Sequence, residues 1–182
     1  LKPKMASNLR KRLGSTGQML ERAVDTGRCY VFEGGRIHNS YPPSIASLAS
    51  DIAIAGHLYG GTAGFESALT GVPTLMLDQE GWPESKLYDL GLGKVVFNDW
   101  NSLWDACKDY FDSNCQIDDF GDWSPLINEW DTFRDGRAAE RIGNYLHWMI
   151  EDFKLGLPRE KVLTNAAERY CKEWGYDKIT SV

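Results

Sequence analysis

The residues best suited to chemistry lie close together in the chain: His57, Gly60, Gly61, Thr62, Ala63, Glu66 and Ser67. Gly60, Gly61 and Gly64 let backbone N–H groups approach a ligand with no Cβ atom in the way. Thr62 is placed to cap a helix over residues 63–70. Unpaired N–H groups at a helix start, with the helix dipole behind them, attract an anion. Glu66, in the second turn, can accept hydrogen bonds from two adjacent ribose hydroxyls while the glycine turn holds a diphosphate. Ser67 and Ala63 complete the candidate set. His57, just past a strand end, is able to contact phosphate or sugar. The string HLYGGTAG is neither GxGxxG nor a Walker A sequence, because no Gly-Lys-Ser/Thr follows. A tight strand–helix junction with no ligand would use the same residues.

The elements around this turn read clearly. Residues 51–55 form a short apolar run of buried-strand length, and 74–77 form a second. Gly71 is expected to close the intervening helix with a positive φ, and Pro73 prevents its continuation. Before the turn, residues 1–3 look like a strand end. Residues 5–26 read as a helix whose middle Gly14 and Gly17 weaken, leaving room for a break near Ser15. Residues 28–33 read as a strand from their β-branched and aromatic content, and 44–48 as a short helix after two prolines. After the turn come a helix over 84–90, a strand over 94–97 and a helix over 101–112 with Leu103, Trp104, Cys107 and Phe111 inward. Residues 114–130 are acidic, aromatic and without clear period, as in a functional loop or a crossover. The spacing predicts two closing helices, 136–155 and 159–174. On the first, Ala138, Ala139, Ile142, Tyr145, Leu146, Met149 and Phe153 share a face; on the second, Val162, Leu163, Ala166, Ala167 and Tyr170 do.

Strands near residues 1, 28, 51, 74 and 94 alternating with helices predict an α/β fold: a parallel-sheet, Rossmann-like domain with crossovers on both faces and additional C-terminal helices. The expected division is 1–113 for that domain, 114–135 for an irregular acidic and aromatic connection, and 136–182 for helices packing on the same domain. Ligands in such sheets bind at the carboxyl ends of strands. The glycine turn, Asp78 and the stretch from Glu33 to Gly35 all lie at such ends.

Composition excludes several classes. Of the 182 residues, 20 are basic and 26 acidic, for a net charge of −6, which argues against a general nucleic-acid binder. The charge is uneven. Lys2, Lys4, Arg10, Lys11, Arg12 and Arg22 face only Glu21 near the start, which would attract a phosphorylated ligand or simply form a solvated surface. Cys29, Cys107, Cys115 and Cys171 form no CxxC pair, so they are read as reduced and mostly buried in a cytoplasmic protein, with no metal site. No apolar run approaches the ~20 residues of a membrane span. Asp78, Glu80 and Glu84 could do acid–base work or bind a divalent ion, but read first as a solvated acidic loop. Asp118, Asp119 and Asp122 read as surface, His38 as a loop residue near a strand end, and His147 as structural. Arg134, Arg137 and Arg141 read as partners in ion pairs.

GGTAGFESALTGVPTLML, residues 60–77, resembles the donor-binding half of GT-B glycosyltransferases. The shared pattern is a strand ending in a small residue, then G-(G/S/T)-x-x-x-E-(A/S)-(A/L), then Gly-Val-Pro and a second strand. SDIAIA before it matches. LKPK at the start is similar to a strand end of bacterial surface-polysaccharide transferases, and DTFRDGRAAERIGNYLHWM is similar to closing helices of polysaccharide-biosynthesis proteins. The resemblance covers most of residues 1–155. It implies that Glu66 contacts the nucleotide ribose, that Gly60, Gly61, Thr62 and Ala63 contact phosphate, and that Lys2 or Lys4 is the basic partner of the diphosphate. It implies no cofactor and no metal.

A GT-B enzyme has two such domains with the active site between them, and one is read here. Leu1 is not an initiator Met, so the expectation is a fragment of a longer protein. Its missing N-terminal domain would carry the acceptor site, and the full-length protein would be open to peripheral membrane association. The expected function is the nucleotide-sugar-binding half of a transferase of surface polysaccharide assembly, not active by itself. No catalytic residue is assigned. A nucleotide-sugar epimerase of the same fold is the alternative within enzymes. A non-catalytic scaffold, with residues 119–130 as its partner surface, is the alternative outside them.

Overall fold

The computed structural model describes residues 1–3, 9–32, 41–58 and 61–176. It divides into two compact units, Leu1–Ile127 and Asn128–Val182. This boundary falls inside the stretch expected to be a connection.

The first unit is α/β. Among the described residues its sheet has three parallel strands in the order β1 (Ala53–Ala55), β2 (Thr74–Leu77) and β3 (Val96–Phe97). Ala53 pairs with Thr74, and Met76 with Val96. Side chains alternate across a strand, and here the alternation separates two cores. Met76 and Val96 face Leu58, Ala68, Leu87, Trp123 and Leu126. Leu75 and Phe97 face Leu103, Cys107 and Phe120. The first face carries α4 (Thr62–Ala68) and the start of α6 (Ser124–Trp130); the second carries α5 (Trp100–Asp112). Helices therefore cover both faces of the sheet, as a parallel sheet requires.

The sheet is smaller than the five strands expected. Leu1 and residues 30–32 do make the two hydrogen bonds of a parallel pair around Val31: Leu1 N to Tyr30 O at 2.6 Å and Phe32 N to Leu1 O at 3.0 Å. One paired residue is too short for a strand, and no ladder joins this pair to β1 among the described residues. The stretch 94–97 contributes only its last two residues, because Gly93 and Lys94 turn to bond with Val96 and Gly91.

Most helices lie where their punctuation puts them. α1 (Leu9–Leu13) and α2 (Gly17–Asp25) are joined by a 3-10 turn, Gly14–Thr16, with Gly14 at φ +51°. The break near Ser15 is thus a real one. α3 is Pro43–Ser47. Gly71, at φ +80°, follows α4, and the 3-10 helix Lys86–Leu90 stops at Gly91. Asp99 caps α5 by accepting from the N–H groups of Asn101 and Ser102, both at 2.9 Å.

Three expectations about packing are corrected. Trp104 and Phe111 of α5 are exposed; Leu103, Ala106, Cys107 and Tyr110 turn inward instead. These sit at the 3–4 residue spacing of one helix face. Residues 119–130 are not an irregular surface: Phe120, Trp123, Leu126 and Ile127 are core. The Trp123 indole donates to Thr74 O at 2.8 Å, and Tyr110 stacks on Phe120. The third correction lies in the second unit.

That unit is a helical hairpin of α7 (Ala138–Lys154) and α8 (Arg159–Trp174). On α8, Val162 and Ala166 are buried as expected, with Cys171, while Leu163 is exposed. On α7, Ile142, Leu146 and Phe153 are exposed, and the buried residues are Arg141 and Asp152. Asp152 accepts from Asn165 Nδ2 at 2.7 Å and lies 3.4 Å from an Arg169 nitrogen, so a polar cluster links the helices. The four cysteines are free; Cys107 and Cys171 are buried, Cys29 is half-buried and Cys115 exposed. No helix among the described residues is long and apolar enough to cross a membrane.

Candidate functional site

The carboxyl ends of β1 and β2 lie side by side because the two strands are parallel neighbours. The loops leaving them approach closely. A Cβ on Gly56 would stand 2.9 Å from Gln79 Nε2, and that amide donates to Gly56 O at 3.0 Å. One residue further along each loop, His57 Nδ1 lies 2.6 Å from Glu80 Oε1, and Glu80 Oε2 lies 3.4 Å from the Leu58 N–H. His57 is 78% exposed and Glu80 34%. The His57 bond holds the Glu80 carboxyl below the usual glutamate range, outweighing its partial desolvation. Glu80 is thus a carboxylate, able only to accept, and the imidazole nitrogen facing it carries the proton.

Asp78 fixes the loop that carries Glu80. It is 5% exposed and accepts from the N–H groups of Glu80, Gly81 and Trp82 at 2.9–3.0 Å, and from the Tyr88 hydroxyl at 2.6 Å. Burial would raise its pKa, and these donors together hold it below the ordinary value; the same pair pushes Tyr88 up to about 12. Asp78 therefore has no lone pair to spare for acid–base work or a cation. It organises the loop. Glu84 is exposed.

Gly61 occupies the cap position of α4, with Thr62 as its first helical residue rather than its cap. Thr62 and Ala63 are exposed, and Glu66, one turn on from Thr62 on the same side of the helix, is half-buried. Ser67 is turned away: it is buried, and its hydroxyl donates to Ala63 O at 2.8 Å. Gly64 serves packing, not ligand access. A Cβ there would meet Met76 Sδ at 2.7 Å and the Trp123 ring at 3.2 Å. At Gly61 a Cβ would find only ordinary contacts, the nearest at 3.4 Å, and its φ of −55° suits any residue. α4 has only seven residues, so its dipole is modest. Lys2 is half-buried beside the Leu1–Tyr30 pairing, and no bond joins it to the turn among the described residues. Lys4, Gly60, His38 and the stretch from Glu33 to Gly35 lie outside the described residues.

The second unit holds a cavity of about 1030 Å³ lined by Trp130, Phe133, Arg141, Ile142, Tyr145 and Tyr170 among others. It contains none of the expected site residues. Two of its charges, Arg141 and Asp135, are matched to each other. Arg141 binds both oxygens of Asp135, the nearer of these bonds being to Oδ2, and its guanidinium lies 3.6 Å from the Phe133 ring centre. The Arg141 bond is the largest of the effects that depress Asp135 to about 2. Arg137 pairs with Glu140 and His147 with Glu151, in keeping with the structural roles read for them. Lys94 pairs with the exposed Asp119 at 2.7 Å. No group of three or more His, Cys, Asp or Glu able to hold a metal occurs among the described residues.

Sequence reasoning separated His57 from Glu80. The two are 23 residues apart, and only their closeness to the carboxyl ends of paired parallel strands could have joined them. Comparison of the chain with protein-family models, with curated proteins and with solved structures gave no match.

Proposed function

We propose that the chain binds a nucleotide sugar at the carboxyl ends of β1 and β2, as the Rossmann-like donor-binding half of a GT-B-type glycosyltransferase of surface polysaccharide assembly. The observation that carries this reading is the adjacency of two strand ends. One leads through His57 into Gly61, Thr62 and the carboxylate of Glu66; the other brings Glu80 against His57. Strand ends of a parallel sheet are where such ligands bind. The resemblance of residues 60–77 to the donor half of that family supports the same reading.

In this scheme the backbone N–H groups opening α4 donate to the diphosphate oxygens, and Glu66 accepts from the ribose hydroxyls. With so short a helix, individual N–H groups matter more than the dipole. Lys2 or Lys4 would add a positive charge. Charge growing on the departing diphosphate would be stabilised by these donors. The chain would act with a second domain carrying the acceptor, in the cytoplasm and open to association with a membrane surface.

A thermal-shift panel with UDP, GDP, CDP and CMP tests the reading. One nucleotide should raise Tm, and Glu66→Ala should remove the rise. No response to any of them would favour a scaffold.

A further inference from the structure

We infer that His57 and Glu80 form a proton-accepting pair, with His57 Nε2 as the atom that takes a proton from a hydroxyl of the reacting partners. This rests on the donor-binding reading above and adds a base to a half-site that was assigned none.

The argument begins with what each group can do. An ionised carboxylate offers lone pairs and no proton. The His57 nitrogen 2.6 Å from Glu80 is Nδ1, so in the neutral ring the proton sits there and the lone pair sits on Nε2. His57 is largely exposed, so Nε2 is open to a ligand. Glu80 is in turn held: its backbone N–H donates to the buried Asp78 at 3.0 Å, and its second oxygen faces Leu58 N–H. An ordered chain therefore runs from Asp78 through Glu80 to the imidazole. Glu80 is a positioning residue, fixing the tautomer and stabilising the imidazolium that forms. Asp78 serves structure, since its acceptor capacity is filled.

The location makes the pair useful. His57 lies two residues past the β1 end and four before Gly61, whose N–H bonds back to Leu58 O. A donor bound on that turn would present its anomeric carbon near the same strand ends. In the step, the acceptor hydroxyl oxygen forms the new bond to that carbon, and the bond from the carbon to the diphosphate oxygen breaks. Its electron pair leaves with the diphosphate, and the hydroxyl proton passes to His57 Nε2. General-base assistance of this kind is worth about 10²–10⁴ in rate.

A tether between two loops would use the same bond, so the test separates the roles. The chain labelled with ¹⁵N-histidine is examined by NMR with and without the nucleotide sugar whose nucleotide raises Tm in the thermal panel. This readout needs no turnover. The expected result is a proton on His57 Nδ1, with Nε2 becoming a hydrogen-bond acceptor when the nucleotide sugar binds. Glu80→Gln should scramble the tautomer with nucleotide affinity retained. His57→Gln keeps a donor toward Glu80, so Tm should hold, while glycosyl transfer or donor hydrolysis should fall by about 100-fold or more, far beyond any change in donor affinity. A proton on Nε2, or a His57 ring blind to a nucleotide sugar that does bind, would overturn the inference alone. So would wild-type turnover in His57→Gln. Absence of binding by every nucleotide would instead remove the donor reading and, with it, the base.

Discussion

The indole N–H of Trp123 reaches back 49 residues to the carbonyl of Thr74, at 2.8 Å, and both residues are essentially buried. This bond ties the acidic segment after α5 to the first residue of β2. It explains why Phe120, Trp123, Leu126 and Ile127 belong to the core. Replacing Trp123 with Phe keeps most of the apolar volume and removes the donor. Leaving a buried carbonyl short of its partner costs about 1–3 kcal/mol. The expected outcome is a lower midpoint in urea unfolding with little change in slope.

Gly121 supports the same join more severely. It has φ +64°, its N–H donates to Lys94 O, and its carbonyl accepts from Thr74 N. A Cβ would sit 2.6 Å from Thr74 N and 2.8 Å from two Pro73 backbone atoms. Backbone cannot move aside as a flexible side chain can, so Gly121→Ala should cost about 3 kcal/mol or more. Gly61→Ala should lie within about 1 kcal/mol of wild type, since its φ and surroundings accept a methyl group. Thermal denaturation of the two variants checks the contrast; equal losses would contradict it.

Asp78 predicts a pH dependence. Its folded pKa lies below the ordinary aspartate value of 3.8. Below 3.8 the unfolded chain takes up the proton before the folded one does. The Asp78 contribution is therefore complete above that value and is lost as pH falls through the folded pKa. Asp78→Asn should lower Tm at neutral pH, and the difference from wild type should shrink progressively below about pH 4. A constant difference across pH 3–7 would contradict the assignment of Asp78 as an ionised hub.

In the second unit, Leu146 is 52% exposed and Val162 is fully buried. Leu146→Gln should change stability by about 0.5 kcal/mol or less. Val162→Ala removes two buried methyl groups' worth of packing, and should cost about 1–3 kcal/mol. Urea titrations of the pair read the difference directly.

Local grammar carried much of the fold. Gly14, Gly71 and Gly91 ended or broke elements where a positive φ was needed, and the apolar run at 74–77 became β2. What depended on distant contacts was not legible. Periodicity placed Trp104 and Phe111 on one helix face with Leu103, yet the face that meets β2 and β3 runs through Ala106 and Tyr110. The aromatic and acidic residues of 114–130 have no period because their order comes from single long-range bonds, above all Trp123 to Thr74. In the site, the turn glycines looked alike. Gly64 differs from Gly61 only through its approach to Met76 and Trp123, which no spacing reveals.

The central claim is that the β1–β2 strand ends hold a nucleotide through the α4 turn and Glu66. Calorimetric titration of the chain with UDP, GDP, CDP and CMP tests it most directly. The account predicts saturable binding of one of them, weakened about tenfold or more by Glu66→Ala, the loss of a charge-assisted bond of about 1.5 kcal/mol or more. Absence of heat with every nucleotide, or equal affinity for wild type and Glu66→Ala, would contradict it.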